Sequence, residues 1–243
     1  MLDRFSWGRK LAQVSRLFFF KHDVLRSGTL RGDPKTIMRL YDFFAPVYDL
    51  LFPRIQTYTA TANHIVTTLV QPGDQILDLG AGTGLLTVKM AVKASHVVAM
   101  DLHQAMLRRA RDKALELGLD GRVNYSQGNA TVLPFRDAVF NLVTSSFMEV
   151  YLTVPEKTQM LEEIHRVLAP GGRLIFMTGN GEVSNRYIKR HQWTRILERS
   201  LFTDIEFTDH YDVFRVIFAR KAGRGNVLEP SLNRSSRDER EGA

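Results

Sequence analysis

Between positions 75 and 84 the chain reads QILDLGAGTG, so Asp78 is followed by Gly80, Gly82 and Gly84 within six residues. A second acid, Asp101, stands 21 positions after Gly80 at the end of HVVAMD. Glycine lets a turn tighten and lets a ligand reach the backbone, and an acid at the end of the following strand commonly binds ribose hydroxyls. Further on, Gly128-Asn129-Ala130 offers amide and backbone groups to the edge of a base, and Ser145-Ser146-Phe147 ends another apolar run. These residue types suit a nucleoside-bearing ligand. A dinucleotide fingerprint places its third glycine three residues after the second. Here that position is Leu85, and the glycine arrives one residue early at Gly84. That spacing disfavours a pyrophosphate at the helix start and suits a ligand without phosphate, held against the loop backbone.

Alternating strand and helix signals must position these groups. The run before the glycines reads as a buried strand and 85–94 as the helix after it. Strands follow at 96–101, 123–127, 140–145 and 173–178, with helices at 104–117, 155–168 and 184–200. Two last strands, 205–207 and 213–219, have no helical pattern between them and are expected to pair antiparallel. The alternation predicts an α/β, doubly wound sheet, mostly parallel with an antiparallel last strand and helices on both faces. In such a sheet the ligand lies at the carboxyl ends of the strands, where the glycines, acids and serines gather. A helix over 54–70 precedes the first strand, and Gln71-Pro72-Gly73 ends it. Upstream of it, YDFFAPVYDLLFP (41–53) reads as a packed aromatic helix or as a cap that sets Tyr41 and Tyr48 over the ligand.

ILDLGAGTG, the acid of VVAMD, GNATVLPF, FNLVTSSFMEV and LAPGGRLIFMT fall in the order found in class I S-adenosylmethionine-dependent methyltransferases. The chain resembles that family over residues 41–220. Its flavour is similar to the ubiquinone/menaquinone C-methyltransferases and the bacterial phospholipid N-methyltransferases, the latter through the Tyr41 segment. The resemblance implies a Rossmann-like fold with S-adenosylmethionine as cofactor, and it implies roles. Gly80 and Gly82 would contact the methionine moiety, with Asp78 near its amino group. Asp101 would hold the ribose, while Leu102 and Met106 flank the adenine. Asn129 and Ala130 would recognise the adenine edge, Ser145 would line the methionine side, and Tyr41 and Tyr48 would close over the cofactor. The family often carries Asp where this chain has Asn129, whose carbonyl oxygen can still accept from the adenine amino group.

Methyl transfer from a sulfonium is an in-line displacement, in which alignment supplies roughly 7–11 kcal/mol. A general base is needed only if the acceptor must lose a proton. Candidates are Tyr48, Tyr187 and His191; as a solvated helix face, Tyr187 and His191 would do nothing chemical. His165 reads as structural. Arg186, Lys189 and Arg190 form a cationic run that could hold a phosphate or simply face solvent. The chain has no cysteine, which removes cysteine-nucleophile C5 methylation and thiol-ligated arsenite chemistry, and no metal site is expected. SSFMEVY stands where amino-methylating nucleic-acid enzymes carry Asn/Asp-Pro-Pro-aromatic.

The 243 residues carry a net charge of +7, unevenly placed. Residues 1–31 hold a net +5 and residues 220–243 a net +2, leaving a neutral middle. A neutral domain with basic ends argues against a nucleic-acid channel. Residues 1–33 form a basic amphipathic segment with Trp7, Leu11, Val14, Phe18 and Leu25 on one stripe. It reads as a cover helix, an anchor on an anionic membrane surface, or a targeting segment. The expected division is therefore 1–33, a catalytic domain at 34–220 whose helical cap occupies 34–72, and a disordered tail at 221–243. The expected protein is cytoplasmic or peripheral at a membrane. It would methylate an amphiphilic small molecule, first a phosphatidylethanolamine-type lipid amine, second a quinone or other small-molecule carbon or oxygen. RNA or protein methylation and a non-catalytic cofactor-binding module are the remaining readings.

Overall fold

Ile76 and Leu77 are adjacent in sequence and belong to opposite cores. The structure, a computed structural model, describes residues 55–185 and 187–222. At its centre lie seven strands: β1 (Gln75–Leu79), β2 (His96–Asp101), β3 (Val123–Gln127), β4 (Phe140–Ser146), β5 (Leu168–Gly179), β6 (Phe202–His210) and β7 (Phe214–Lys221). The helices are α1 (Gln56–His64), α2 (Leu85–Ala91), α3 (Gln104–Glu116), α4 (Val154–Val167) and α5 (Arg190–Arg199). The strand order is β3-β2-β1-β4-β5-β7-β6. Strands β1 to β5 pair in parallel, and β7 runs antiparallel to both β5 and β6. This is the doubly wound sheet with an antiparallel last strand that the alternation predicts.

Successive side chains of a strand face opposite sides, so each strand feeds two helix layers. On one side Ile76, Val97, Ala99, Ile175 and Met177 pack with Tyr58, Ala62, Leu86, Met90, Leu107 and Ala114 of α1, α2 and α3. On the other, Leu77, Leu79, Val143, Leu174, Phe176 and Ile217 pack with Met160, Leu161 and Ile164 of α4 and Trp193 and Leu197 of α5. Burial on both faces is why β1, β2, β4 and β5 read as apolar runs. The strand order reverses between β1 and β4, which opens a crevice at their carboxyl ends. At the amino end, Arg173 pairs with the Asp74 carboxylate and donates to the Leu69 carbonyl at 2.7 Å, tying β5 to the loop before β1.

Several boundaries differ from expectation. The first helix is α-helical over Gln56–His64 and continues as one π-helical turn, Ile65–Leu69. Helix α5 starts at Arg190 and not at 184, because Asn180 accepts from the Glu182 amide at 3.0 Å and the segment turns back on itself. Gly181 there lies so close to Ile188 that a Cβ would stand 2.3 Å from its carbonyl oxygen. Strand β5 begins at Leu168, ahead of the predicted 173, with a register shift opposite Phe140–Leu142 absorbing the Pro-Gly-Gly segment. β6 is nine residues long where three were predicted, since its charged and polar residues alternate outward. β7 ends at Lys221, one residue inside the predicted tail. Capping of α4 agrees with its sequence: Thr153 and Glu156 form a reciprocal capping box with Pro155 in the first turn. Residues 1–33, the Tyr41 and Tyr48 segment, Arg186 and the tail from 223 lie outside the described residues.

Candidate active site

The glycine turn is held from several sides. Gly80 and Ala81 both donate their amides to the Met100 carbonyl, at 2.8 and 3.0 Å. The Gly82 amide donates to Asp101 Oδ2 at 2.9 Å, and Lys113 of α3 donates to the Thr83 carbonyl at 2.7 Å. Gly80, Gly82 and Gly84 all have positive φ, +67°, +56° and +80°, the region that favours glycine. Their surroundings differ. A Cβ on Gly80 would lie 2.4 Å from Met148, and one on Gly84 2.8 Å from the Ala110 Cβ, whereas nothing stands within 4 Å of Gly82. Gly84 thus permits α2 to pack on α3, and Gly82 opens toward the crevice.

Asp78 is fully buried. Its two carboxylate oxygens accept from the hydroxyls of Thr87, at 2.6 Å, and Thr144, at 2.9 Å. Burial pushes its pKa up to about 6, against the lowering effect of those two hydroxyls. The expectation put Asp78 beside an amino group; the structure commits both of its oxygens to threonines that join β1 to α2 and β4. Asp101 is placed differently. One oxygen binds Gly82, and the other accepts from the His103 amide at 2.8 Å and lies 3.2 Å from its ring Nδ1. A carboxylate offers about four acceptor positions, and these three contacts leave one for a ligand hydroxyl. Leu102 is half-exposed beside it and Met106 is buried in the first turn of α3.

Asn129 and Ala130 follow β3 at the expected rim. The Asn129 carbonyl oxygen, assigned above to an adenine amino group, accepts from the Thr131 amide at 3.0 Å. That is an Asx turn, which the side chain of Asn favours for local reasons. That bond commits the oxygen, and the NH2 is the donor that the exposed side chain offers beside it. Ser145 is fully buried on the α4 side of β4, its Oγ without a protein partner. On the other side Tyr58 Oη lies 3.5 Å from Ser146 Oγ, and burial pushes its pKa up to about 12, so this phenol stays protonated. Tyr58 and Phe147 both pack edge-on against Phe214, at 6.3 and 5.6 Å between ring centres. These three rings form an aromatic wall beside the carboxyl ends of β4 and β5.

Tyr187 packs over Gly179 at the end of β5. His191 is exposed in the first turn of α5. The Arg190 guanidinium is half-exposed and pairs with Asp209 at 2.7 Å. The same carboxylate holds the buried Arg215 through two bonds of 2.7 and 3.0 Å, and Arg215 also donates to Asn180 at 2.8 Å. His165 packs edge-on against Phe202 at 5.7 Å, and burial holds its pKa below the ordinary value. His103, Lys113, Thr87 and Thr144 escaped the sequence reading. His103 follows Asp101 by two residues and Lys113 lies three turns into α3, and neither spacing carries a signal. Among the described residues no group of three or more His, Cys, Asp or Glu is placed to hold a metal ion, and no helix is long and apolar enough to cross a membrane.

A protein-family model described as a methyltransferase domain matches residues 76–172. That segment runs from β1 into β5 and contains the whole glycine turn, Asp101 and the Asn129 loop. Solved structures agree on the fold. The cyclase SpnF superposes with a TM-score of 0.66 at 19% identity, covering 77% of this chain and 95% of its own. A SAM-dependent methyltransferase from Aquifex aeolicus gives 0.59 at 21%, covering 78% and 99%. Geranyl diphosphate C-methyltransferase from Streptomyces coelicolor A3(2), solved with S-adenosyl-L-homocysteine, gives 0.58 at 16%, covering 68% and 79%. A cyclase among them shows that this sheet alone does not decide the reaction.

Residues 76–172 thus match a methyltransferase domain, and the described chain has the fold of these solved structures. Among curated proteins it is similar to the ubiquinone/menaquinone biosynthesis C-methyltransferase UbiE of Vibrio vulnificus (strain YJ016), 42% identical over 110 residues. The Vibrio parahaemolyticus enzyme of the same name is 44% identical over 110 residues. Each alignment takes in 44% of this chain and 42% of the relative, so the chain spans less than half the length of the curated relatives it matches. The residues present fit the cofactor. The open side of Gly82, the remaining acceptor position of Asp101 and the exposed Leu102 lie together at the carboxyl ends of β1 and β2.

Proposed function

We propose that this chain transfers a methyl group from S-adenosylmethionine to a ring carbon of a quinone-type, lipid-soluble acceptor. The observation that carries the proposal is the similarity, above 40% over 110 residues, to enzymes named for C-methylation in ubiquinone and menaquinone biosynthesis. The aromatic wall of Tyr58, Phe147 and Phe214 supports it, since a flat ring stacks edge-on or offset against such side chains. A lipid amine acceptor rested on the basic segment 1–31 and the Tyr41 segment, both outside the described residues, and the relatives cited above are named for quinone C-methylation instead.

When bound, the cofactor supplies an electrophilic methyl group on a positively charged sulfur. The chain's own residues supply placement. Asp101 would accept a ribose hydroxyl while it holds the Gly82 amide, so the ribose and the turn move as one body. Gly80 and Gly82 would present backbone to the amino-acid part, and the Asn129 NH2 would meet a ring nitrogen of the base. Leu102 and Met106 would cover the two sides of the adenine. Buried Asp78 keeps the turn attached to β4 through Thr144. Tyr41 and Tyr48 are retained as proposed covers of the cofactor. Alignment of this kind is the main source of rate in a displacement that needs little covalent help.

The basic amphipathic segment 1–31 would bring the domain to an anionic membrane surface, where a lipid-soluble acceptor is concentrated. Sedimentation with anionic vesicles, with and without those residues, tests that part. Loss of pelleting on truncation is expected; equal pelleting of both forms contradicts it. The acceptor is tested by incubation with methyl-labelled cofactor and a hydroquinone bearing one unsubstituted ring carbon. Label on that carbon is expected, and label only in amine lipids contradicts the proposal.

A further inference from the structure

One buried acid is unused by this account. Glu149 begins the short turn Glu149–Tyr151 after β4 and is 1% exposed. The Thr178 hydroxyl, at the end of β5, donates to its carboxylate, and Oε2 has no protein partner. Ser145 Oγ, four residues earlier and fully buried, also has none. Ser145 pairs with Phe176, two residues before Thr178. Both side chains therefore project to the α4 side, at the carboxyl ends of adjacent strands. Buried polar atoms are nearly always satisfied, so two open ones on the same side of two paired strand ends call for an explanation.

The backbone supplies a second observation. Phe147, between them, has φ +59°, a genuine outlier for a bulky side chain and a mark of functional strain. Its amide is held by the Met177 carbonyl at 2.9 Å and its ring by Phe214. This strained turn sends Phe147 to the aromatic wall, sets Met148 on Gly80 and buries Glu149 beside Thr178.

We propose that Glu149 is the proton acceptor of the transfer, its Oε2 receiving the hydroxyl of a phenol-type acceptor ring. The inference rests on the quinone-type reading above. In bond terms, the hydroxyl O–H breaks and its proton passes to the carboxylate. The freed electron pair moves through the ring to the acceptor carbon. A C–C bond forms there as the S–CH3 bond breaks and its pair stays on sulfur. The methylated ring then moves its C–H proton to oxygen and recovers aromaticity, and Glu149 releases its proton to solvent. The charged group that faces Glu149 is Lys157 of α4, whose ammonium donates to the Leu152 carbonyl, and β5 offers the Thr178 hydroxyl. Burial is the largest influence and pushes the carboxyl up to about 7, near working pH, where general bases are most effective.

The probe is 1,4-naphthohydroquinone carrying one short prenyl tail, offered to full-length wild type, Glu149→Gln and Glu149→Asp. Two readouts are taken: the transfer rate with S-adenosylmethionine, and the pH dependence of probe binding to protein loaded with S-adenosylhomocysteine. In wild type, probe affinity is expected to rise with pH through about 7 and then level off. In Glu149→Gln that dependence should vanish and transfer should fall about 100-fold or more. Binding of S-adenosylhomocysteine should stay within about twofold, and Glu149→Asp should recover part of the rate. An unchanged rate and pH dependence in Glu149→Gln overturns the inference. So does a fall explained by lost cofactor binding or early melting, which would make Glu149 structural. If wild type neither binds nor methylates the probe, the quinone reading itself fails and this inference falls with it.

Discussion

The Gly82 amide and the Asp101 carboxylate meet at 2.9 Å. This bond joins the turn after β1 to the end of β2, so the backbone that would face the methionine part and the acid that would hold the ribose are one rigid unit. Asp101→Ala removes a charge-assisted acceptor worth about 1.5–3 kcal/mol. Calorimetric titration with S-adenosylhomocysteine should show roughly a 10- to 100-fold loss of affinity, and an unchanged Kd would remove Asp101 from the ribose site.

The three glycines of the turn should separate by substitution. At Gly84 an alanine Cβ would press on Ala110 at 2.8 Å in a left-handed conformation, so Gly84→Ala should cost about 2–4 kcal/mol of stability from overpacking and strain together. At Gly82 the space is open. Gly82→Ala should lose only about 1–2 kcal/mol, yet bind S-adenosylhomocysteine poorly because the methyl enters the ligand's path. Urea melts and titrations on both proteins check the contrast; equal losses in both measurements would refute it.

Asp78 and Glu149 make stability depend on pH in an unusual direction. Both folded-state values are raised, from 3.8 to about 6 and from 4.5 to about 7. At these two sites the folded state holds protons that the unfolded chain gives up, and their contribution to stability falls as pH rises from about 4 to about 7. Each shift corresponds to roughly 3 kcal/mol. Urea unfolding of Asp78→Asn across that range should show a shallower fall than wild type. A wild-type curve that rises from pH 4 to 7 by the full amount would mean that the two acids are not protonated in the fold.

Arg215 is buried on the pair it makes with Asp209. Asp209→Ala leaves that guanidinium short of its main counter-charge and should destabilise by about 3–5 kcal/mol, while Arg215→Met, which removes the buried charge, should cost less. Reversal of that order in denaturant melts would show that the pair is not what holds β6, β7 and the end of β5 together.

The sheet was readable because its strands are buried on both faces, and runs such as Ile76-Leu77 and Val97-Val98 announce themselves. Strand β6 was legible only at 205–207, because Asp204, Glu206 and Thr208 alternate with Ile205 and Phe207 on an edge strand and dilute its apolar signal. Ahead of α5, the local bond from the Glu182 amide to Asn180 and the close approach of Gly181 to Ile188 turn the chain away from a longer helix, and spacing reveals neither. In the site, the glycine turn and Asp101 follow from type and spacing. The commitment of Asp78 to two threonines and the use of the Asn129 oxygen in its own turn depend on neighbours distant in sequence or on a local bond that spacing does not reveal. Glu149 carries no pattern at all; its burial emerges only when the strained Phe147 turn is in view.

The central claim is transfer to a quinone-type carbon, and the most direct measurement is product analysis after incubating the full chain with methyl-labelled S-adenosylmethionine, total membrane lipids and a short-tailed hydroquinone. The account expects label in the quinone fraction, on a ring carbon and stable to alkali and acid. Label in the headgroup of an amine lipid, or in protein or RNA with none in the quinone fraction, would contradict it.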